Sequence, residues 1–135
     1  MKCSAAGFII FKIHENKIKY LGLEALPYFA KKSNGIYDIP KGKIDPGETP
    51  FECAKRECLE EAGLRAHKII EGPYNYDGLA LWLAECYQKP KISINPHTKQ
   101  KEHLGYSWIS GDEIEEKCLD YLRPGIKWAR KLLES

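Results

Sequence analysis

The run from residue 45 to residue 63 dictates its own local structure more firmly than any other part of the chain. Asp45-Pro46-Gly47 is a turn with a mechanism, because proline pre-sets φ and glycine accepts the positive φ of a type II turn. Thr49 then supplies an N-cap, Pro50 suits the first helical position, and Glu52 completes a capping box. Gly63 suits the left-handed residue that ends a helix. Phe51, Ala54, Cys58 and Ala62 recur at i, i+3, i+7 and i+11 of the same segment, which predicts a helix with one buried stripe.

Roughly opposite that stripe stand Glu57, Glu60 and Glu61. At about 100° per residue they fall within one arc of about 100°. Like charges at this spacing cost roughly 0.2–0.5 kcal/mol per pair, and acids late in a helix face the negative end of its dipole. A bound cation reverses both effects. An isolated E-x-x-E-E is usually a solvated charged face; three carboxylates on one arc without histidine or thiolate suit a hard ion such as Mg²⁺ or Mn²⁺ rather than zinc. Magnesium commonly completes its shell with substrate phosphates, so the chemistry indicated is at a phosphoanhydride. Just upstream, Gly42 and Gly47 allow close backbone approach, and Lys41 and Lys43 place point charges beside the same loop.

The 135 residues predict one domain, over residues 1–135. With 21 basic and 19 acidic residues the net charge is only +2, so no global field demands nucleic acid or an anionic membrane. The longest apolar runs, residues 7–11 and 79–84, are far short of a membrane span, and the N-terminus lacks a signal-peptide core; a soluble, cytoplasmic protein is expected. Five cysteines without a C-x-x-C pair argue against a disulfide framework or structural zinc, and most are expected to be buried thiols.

Strands are expected at residues 3–14 (central, with 8–11 covered on both faces), 18–25 (its hairpin partner), 36–40, 66–72, 79–87 and 104–109. Residues 27–35 and 73–78 read as loop and turn, and residues 88–103 as a long, polar, basic loop. Helices are expected over 112–122, capped by Ser110, and from Pro124 to about Leu133. Trp82 and Trp108 read as core, and His97 and His103 as surface residues of the loop, with phosphate contact by His103 the lesser alternative.

Gly42, Glu48, Arg56-Glu57, Glu60-Glu61, Gly63 and Leu64 fill every fixed position of G-x5-E-x7-R-E-U-x-E-E-x-G-U, with Cys58 as the first apolar member. On these residues the chain resembles the Nudix hydrolase family. The resemblance implies an α/β fold, an α/β/α sandwich around a mixed β-sheet with a catalytic loop–helix–loop, and Mg²⁺- or Mn²⁺-dependent hydrolysis of a nucleoside diphosphate derivative. It implies that Glu57, Glu60 and Glu61 are metal ligands, joined by the Gly42 carbonyl, and that Arg56 and Glu48 hold the cluster in register. Either Glu61 or Glu102 would be the base. Lys41, Lys43, Tyr74, Tyr76 and His103 are the candidate substrate contacts; for the two tyrosines, packing is the alternative to stacking on a base.

Residues 101–109 and 3–10 are similar to diadenosine tetraphosphate hydrolases of this family, with Lys43 in place of the more usual histidine of their loop. Pro40-Lys41-Gly42-Lys43-Ile44 also resembles mRNA-decapping members. A dinucleoside polyphosphate is thus the favoured substrate. RNA 5′-pyrophosphohydrolysis or decapping, nucleoside triphosphate pyrophosphatase activity, and a non-catalytic nucleotide-binding module are the alternatives. The implied partners are a nucleotide-type small molecule or an RNA 5′ end and no membrane, with the chain a monomer or homodimer.

Overall fold

The computed structural model describes residues 3–65, 67–94 and 102–135. Strand β1 (Ala5–His14) turns through Glu15 and Asn16, both at positive φ, into β2 (Lys17–Ala25). That is the twist a two-residue hairpin loop needs to match its strands. Helix α1 (Pro27–Lys32) and the short strands β3 (Tyr37–Asp38) and β4 (Lys41–Lys43) lead to helix α2 (Pro50–Ala62). Strands β5 (Lys68–Tyr76), β6 (Leu79–Glu85) and β7 (His103–Ile109) follow. Helix α3 (Gly111–Lys117), a 3₁₀ turn (Asp120–Leu122) and helix α4 (Arg123–Glu134) close the chain.

The seven strands form one mixed sheet in the order β3-β2-β1-β6-β5, with β4 also on β1 and β7 also on β2. Strand β1 lies parallel to β6 and antiparallel to its other partners. One of its edges is divided: Phe11–His14 pair with β2, whereas Ala5, Ala6 and Gly7 pair with Lys43, Gly42 and Lys41 of β4. The loop entering α2 is thereby laced to the central strand.

Alternation along β1 sends its side chains into two cores. Phe8 and Ile10 pack with Cys53, Ala54, Cys58 and Ala62 of α2. Ile9 and Phe11 pack with Ile114, Leu122, Ile126 and Ala129 on the opposite face. Fully burying each large apolar side chain is worth roughly 1.5–3 kcal/mol, so both helix layers are held by burial against one sheet, giving the expected α/β/α sandwich. Cys53, Cys58, Cys86 and Cys118 are buried thiols, as expected.

Several boundaries differ from the sequence reading. Residues 27–32 form a helix rather than a loop, with Pro27 at its start, and none of its residues is buried. Strand β5 runs on through Pro73 to Tyr76, leaving only Asp77 and Gly78 as the turn. Proline is tolerated there because β5 is the sheet edge and its register slips between Ile69 and Tyr74. Residues 36–40 give only two strand residues. The helix expected over 112–122 breaks at Cys118, whose backbone is extended. Ser110 caps α3 as expected, accepting from the Glu113 N–H. Among the described residues no helix is long and apolar enough to cross a membrane. His97, Lys99 and Lys101 lie outside the described residues.

Candidate active site

The local rules that predict α2 hold at both ends. The Thr49 hydroxyl accepts from the Glu52 N–H at 3.1 Å, the Glu52 carboxylate accepts from the Thr49 N–H at 2.9 Å, and Gly63 has φ 68°. The preceding turn closes through Glu48 N–H to the Asp45 carbonyl at 3.0 Å, with Gly47 at φ 81°. Thus fixed, α2 directs its acids at the loop formed by β4.

Arg56 is the hub of that arrangement. Its Nε and Nη2 grip the two oxygens of Glu48 at 2.7 and 3.0 Å, Nη2 also donates to the Lys43 carbonyl at 3.0 Å, and Nη1 reaches Glu57 at 2.8 Å and Glu60 at 3.4 Å. A planar fork suits such two-pronged contact. The Arg56 hydrogen bonds, then the Asp45 N–H, hold the Glu48 carboxyl down to about 2. Beneath them, the buried Cys53 thiol donates to the carbonyls of Gly42 and Lys43, both at 3.3 Å.

Glu57 and Glu61 are set deeper. The Glu57 carboxylate lies directly against the Gly42 backbone, and Glu61 Oε1 accepts from the Lys41 N–H at 3.1 Å. Burial raises the Glu57 carboxyl above the usual range, with the Glu60 charge adding to it. Burial, then the charges of Asp38 and Glu57, raise Glu61 much further. Both carboxyl groups are thus pushed towards the protonated form, Glu61 the more strongly. Pressed-together carboxyl groups that retain protons are the donors from which a hard divalent cation displaces them. The residues fit such an ion in kind. Among the described residues no three His, Cys, Asp or Glu side chains form a ready cage.

Beside the acids, Glu60, Glu61, Ser93, Glu102 and His103 line a narrow slot. Along β4, Ser4, Lys41, Lys43, Asp77, Leu79 and Tyr121 line an open cleft of about 290 Å³.

The NUDIX domain family matches residues 6–133 of this fold and site. The chain belongs to the Nudix family. As a Nudix hydrolase it acts on phosphoanhydride bonds. A mouse protein named bis(5′-nucleosyl)-tetraphosphatase [asymmetrical] is 34% identical over 137 residues, covering 87% of this chain and 84% of its own. A putative 8-oxo-dGTP diphosphatase of Bacillus subtilis is 30% identical over 100 residues, covering 70% of this chain and 55% of its own. Among solved structures, a binary complex of a C. elegans Ap4A hydrolase superposes with a TM-score of 0.69 at 24% identity, covering 95% of this chain and 94% of that one.

Within this Nudix chain the sequence-predicted residues fall into three groups. Gly42, Glu48, Arg56, Glu57, Glu60 and Glu61 converge around the loop–helix junction, and Glu102 joins them across the slot. Lys43 is exposed at the mouth of the cleft, but the Lys41 ammonium is engaged, 3.1 Å from Asp38 Oδ1 and 5.3 Å from the centre of the Tyr121 ring. Burial works against that charge, yet Asp38 and then Tyr121 hold its pKa above the ordinary lysine value. Tyr74 stacks on Trp128 at 5.1 Å, and Tyr76 donates at 2.8 Å to the carbonyl of Tyr121, a residue of the cleft lining.

His103 is not a surface residue. It is 4% exposed, with Nε2 2.9 Å from Asp38 Oδ2. Burial raises the Asp38 carboxyl, but Lys41 and His103 outweigh it and leave the group below its ordinary value. With the Lys41 ammonium 3.1 Å away favouring the carboxylate, which can only accept, the contact is assigned as His103 Nε2–H donating to Asp38 Oδ2. Sequence reasoning missed Asp38, Cys53 and Tyr121. Only Asp38 left a trace, as a charged residue between apolar neighbours in a strand, where unpaired acids are rarely buried.

Proposed function

We propose that this Nudix hydrolase cleaves a dinucleoside polyphosphate such as diadenosine tetraphosphate asymmetrically, with Mg²⁺ or Mn²⁺, to yield a nucleoside triphosphate and a nucleoside monophosphate. The observation that carries the substrate is the 34% identity to an asymmetrical bis(5′-nucleosyl)-tetraphosphatase across 87% of this chain. Glu57, Glu61 and the Gly42 carbonyl are assigned to hold the ion, with Glu60 at its margin. When bound, the ion polarises a phosphoryl oxygen and lowers the pKa of coordinated water.

The chain's own residues supply the rest. Glu102, across the slot from Glu60 and Glu61, is assigned as the base that takes a proton from the attacking water. Glu61, whose carboxylate accepts from the Lys41 N–H, is the competing candidate. Lys43 meets the polyphosphate at the exposed lip of β4, and Arg56 keeps Glu48, Glu57 and Glu60 in register. The cleft beside Tyr121 is assigned to one nucleoside.

The test is a panel of dinucleoside polyphosphates, capped and triphosphorylated RNA, nucleotide sugars and oxidised nucleoside triphosphates, with Mg²⁺ or Mn²⁺ and products identified by mass. Diadenosine tetraphosphate should give ATP and AMP and rank first in kcat/KM. Glu61→Gln should abolish turnover with the fold retained. Dinucleoside polyphosphates ranking last would overturn the substrate assignment, and an active Glu61→Gln the catalytic one.

A further inference from the structure

We infer that Asp38 and His103 form a buried strut that positions Glu102 over the acids of α2. This rests on the reading of Glu102 as the base. Asp38 belongs to β3 and His103 is the first residue of β7, and the two are 65 positions apart in sequence. The two strands are not paired with each other. Both are paired with β2, Asp38 opposite Leu23 and His103 opposite Ala25. The side-chain bond of 2.9 Å therefore spans the end of β2.

The link is needed there because the backbone gives way. The β2–β7 ladder is regular from Tyr20–Ile109 to Leu23–Tyr106 and then shifts before Ala25–His103. An interruption of this kind leaves unpaired groups and frees the strand end to bend. His103 sits just beyond the irregularity, and Glu102 precedes it by one residue, facing the slot with Glu60 and Glu61. Whatever holds the His103 ring sets where Glu102 begins.

Asp38 is equipped to hold it. Its Oδ1 accepts from the Ile39 N–H at 2.8 Å and lies 3.1 Å from the Lys41 ammonium, which donates to Oδ2 at 3.5 Å beside the shorter contact from His103. The same carboxylate thus anchors Lys41, whose N–H holds Glu61, so one buried anion is connected to both walls of the slot. A buried polar pair is often no more stabilising than a well-packed apolar one. Its value here is directional. Asp38 and His103 are positioning residues, acting through Glu102 rather than on the substrate.

The experiment measures kcat and KM for diadenosine tetraphosphate with Mg²⁺ in the wild type, in the single variants His103→Leu, His103→Gln and Glu102→Gln, and in the double variant carrying both His103→Leu and Glu102→Gln. His103→Leu should lower kcat about 10–100-fold with KM within about threefold, since displacing a reacting group by about 1 Å can cost that much. His103→Gln, whose amide N–H reproduces the Nε2 donor, should recover most of the loss. In the Glu102→Gln background His103→Leu should change kcat no further, because residues acting as one unit are not additive. The Glu102 amide signal of the metal-free protein should move in His103→Leu and return in His103→Gln.

Equal losses from His103→Leu in both backgrounds, an unmoved Glu102 signal, or no rescue by glutamine would overturn the strut while leaving the base assignment standing. Wild-type kcat in Glu102→Gln would overturn both. If His103→Leu does not fold, Asp38→Asn takes its place in the same cycle, with the same outcomes.

Discussion

A methyl group on Gly42 would sit 2.2 Å from the carboxyl carbon of Glu57 and 2.3 and 2.5 Å from its two oxygens. The glycine is required by proximity, and what it admits is the end of a flexible side chain. Gly42→Ala should therefore fold with a melting temperature close to wild type, since Glu57 can swing aside. Activity should fall about 100-fold, because the displaced carboxylate is a proposed ligand and small misplacements are costly. Parallel melting and steady-state kinetics check this; a normal kcat would mean that Glu57 is not needed where it lies.

The two lysines of β4 should separate cleanly. Lys43 is exposed, so Lys43→Ala should raise KM for a polyphosphate severalfold and leave stability nearly unchanged. Lys41→Ala removes one of three donors to buried Asp38, and should cost about 1–3 kcal/mol of stability by leaving that carboxylate under-satisfied. Urea denaturation of both variants measures the difference.

Acid should undo the Arg56–Glu48 clamp in a defined window. The folded Glu48 carboxyl lies at about 2 against an ordinary 4.5, so its contribution to stability is fully present above about pH 5 and is lost as pH falls from 4.5 towards 2. Other acids titrate in the same range, so the quantity to measure is the difference between wild type and Glu48→Gln. That difference should be flat near neutrality, shrink with acidification, and diminish in high salt because the pair is near the surface.

Metal uptake should release protons. Burial raises both the Glu57 and the Glu61 carboxyl groups, Glu61 the more strongly, which favours a bound proton there. A cation binding there displaces the proton, so apparent affinity for Mn²⁺ should rise with pH. Titration calorimetry in buffers of different ionisation heat reports the protons released. Glu61→Gln should abolish the buffer dependence, and a chelator should lower the melting temperature of the metal-loaded wild type only.

Helix α2 was legible to the residue at both ends because caps, turn and stripe are local rules written within about 20 positions. The acids were legible for the same reason. What escaped was set by distance along the chain. His103 sits beside Lys101 and Glu102 in a polar stretch and reads as surface, yet its environment is made by Asp38. Tyr74 follows a proline that reads as a strand breaker, but an edge strand lacks a neighbour to miss the N–H, so β5 continues and carries the ring onto Trp128. Lys41 looks like a free phosphate contact until Asp38 is found to hold it.

The divided edge of β1 bears on how this protein can change. Because Ala5, Ala6 and Gly7 share their strand with the core residues Phe8 to Phe11, the loop that carries Gly42 is stitched to a strand that feeds both cores. Among the described residues β1 is the one strand that β4 pairs with, so the position of the loop follows that of Ala5, Ala6 and Gly7. A change that loosens β1 at Ala5, Ala6 or Gly7 would therefore reach Gly42 without touching any acid of α2.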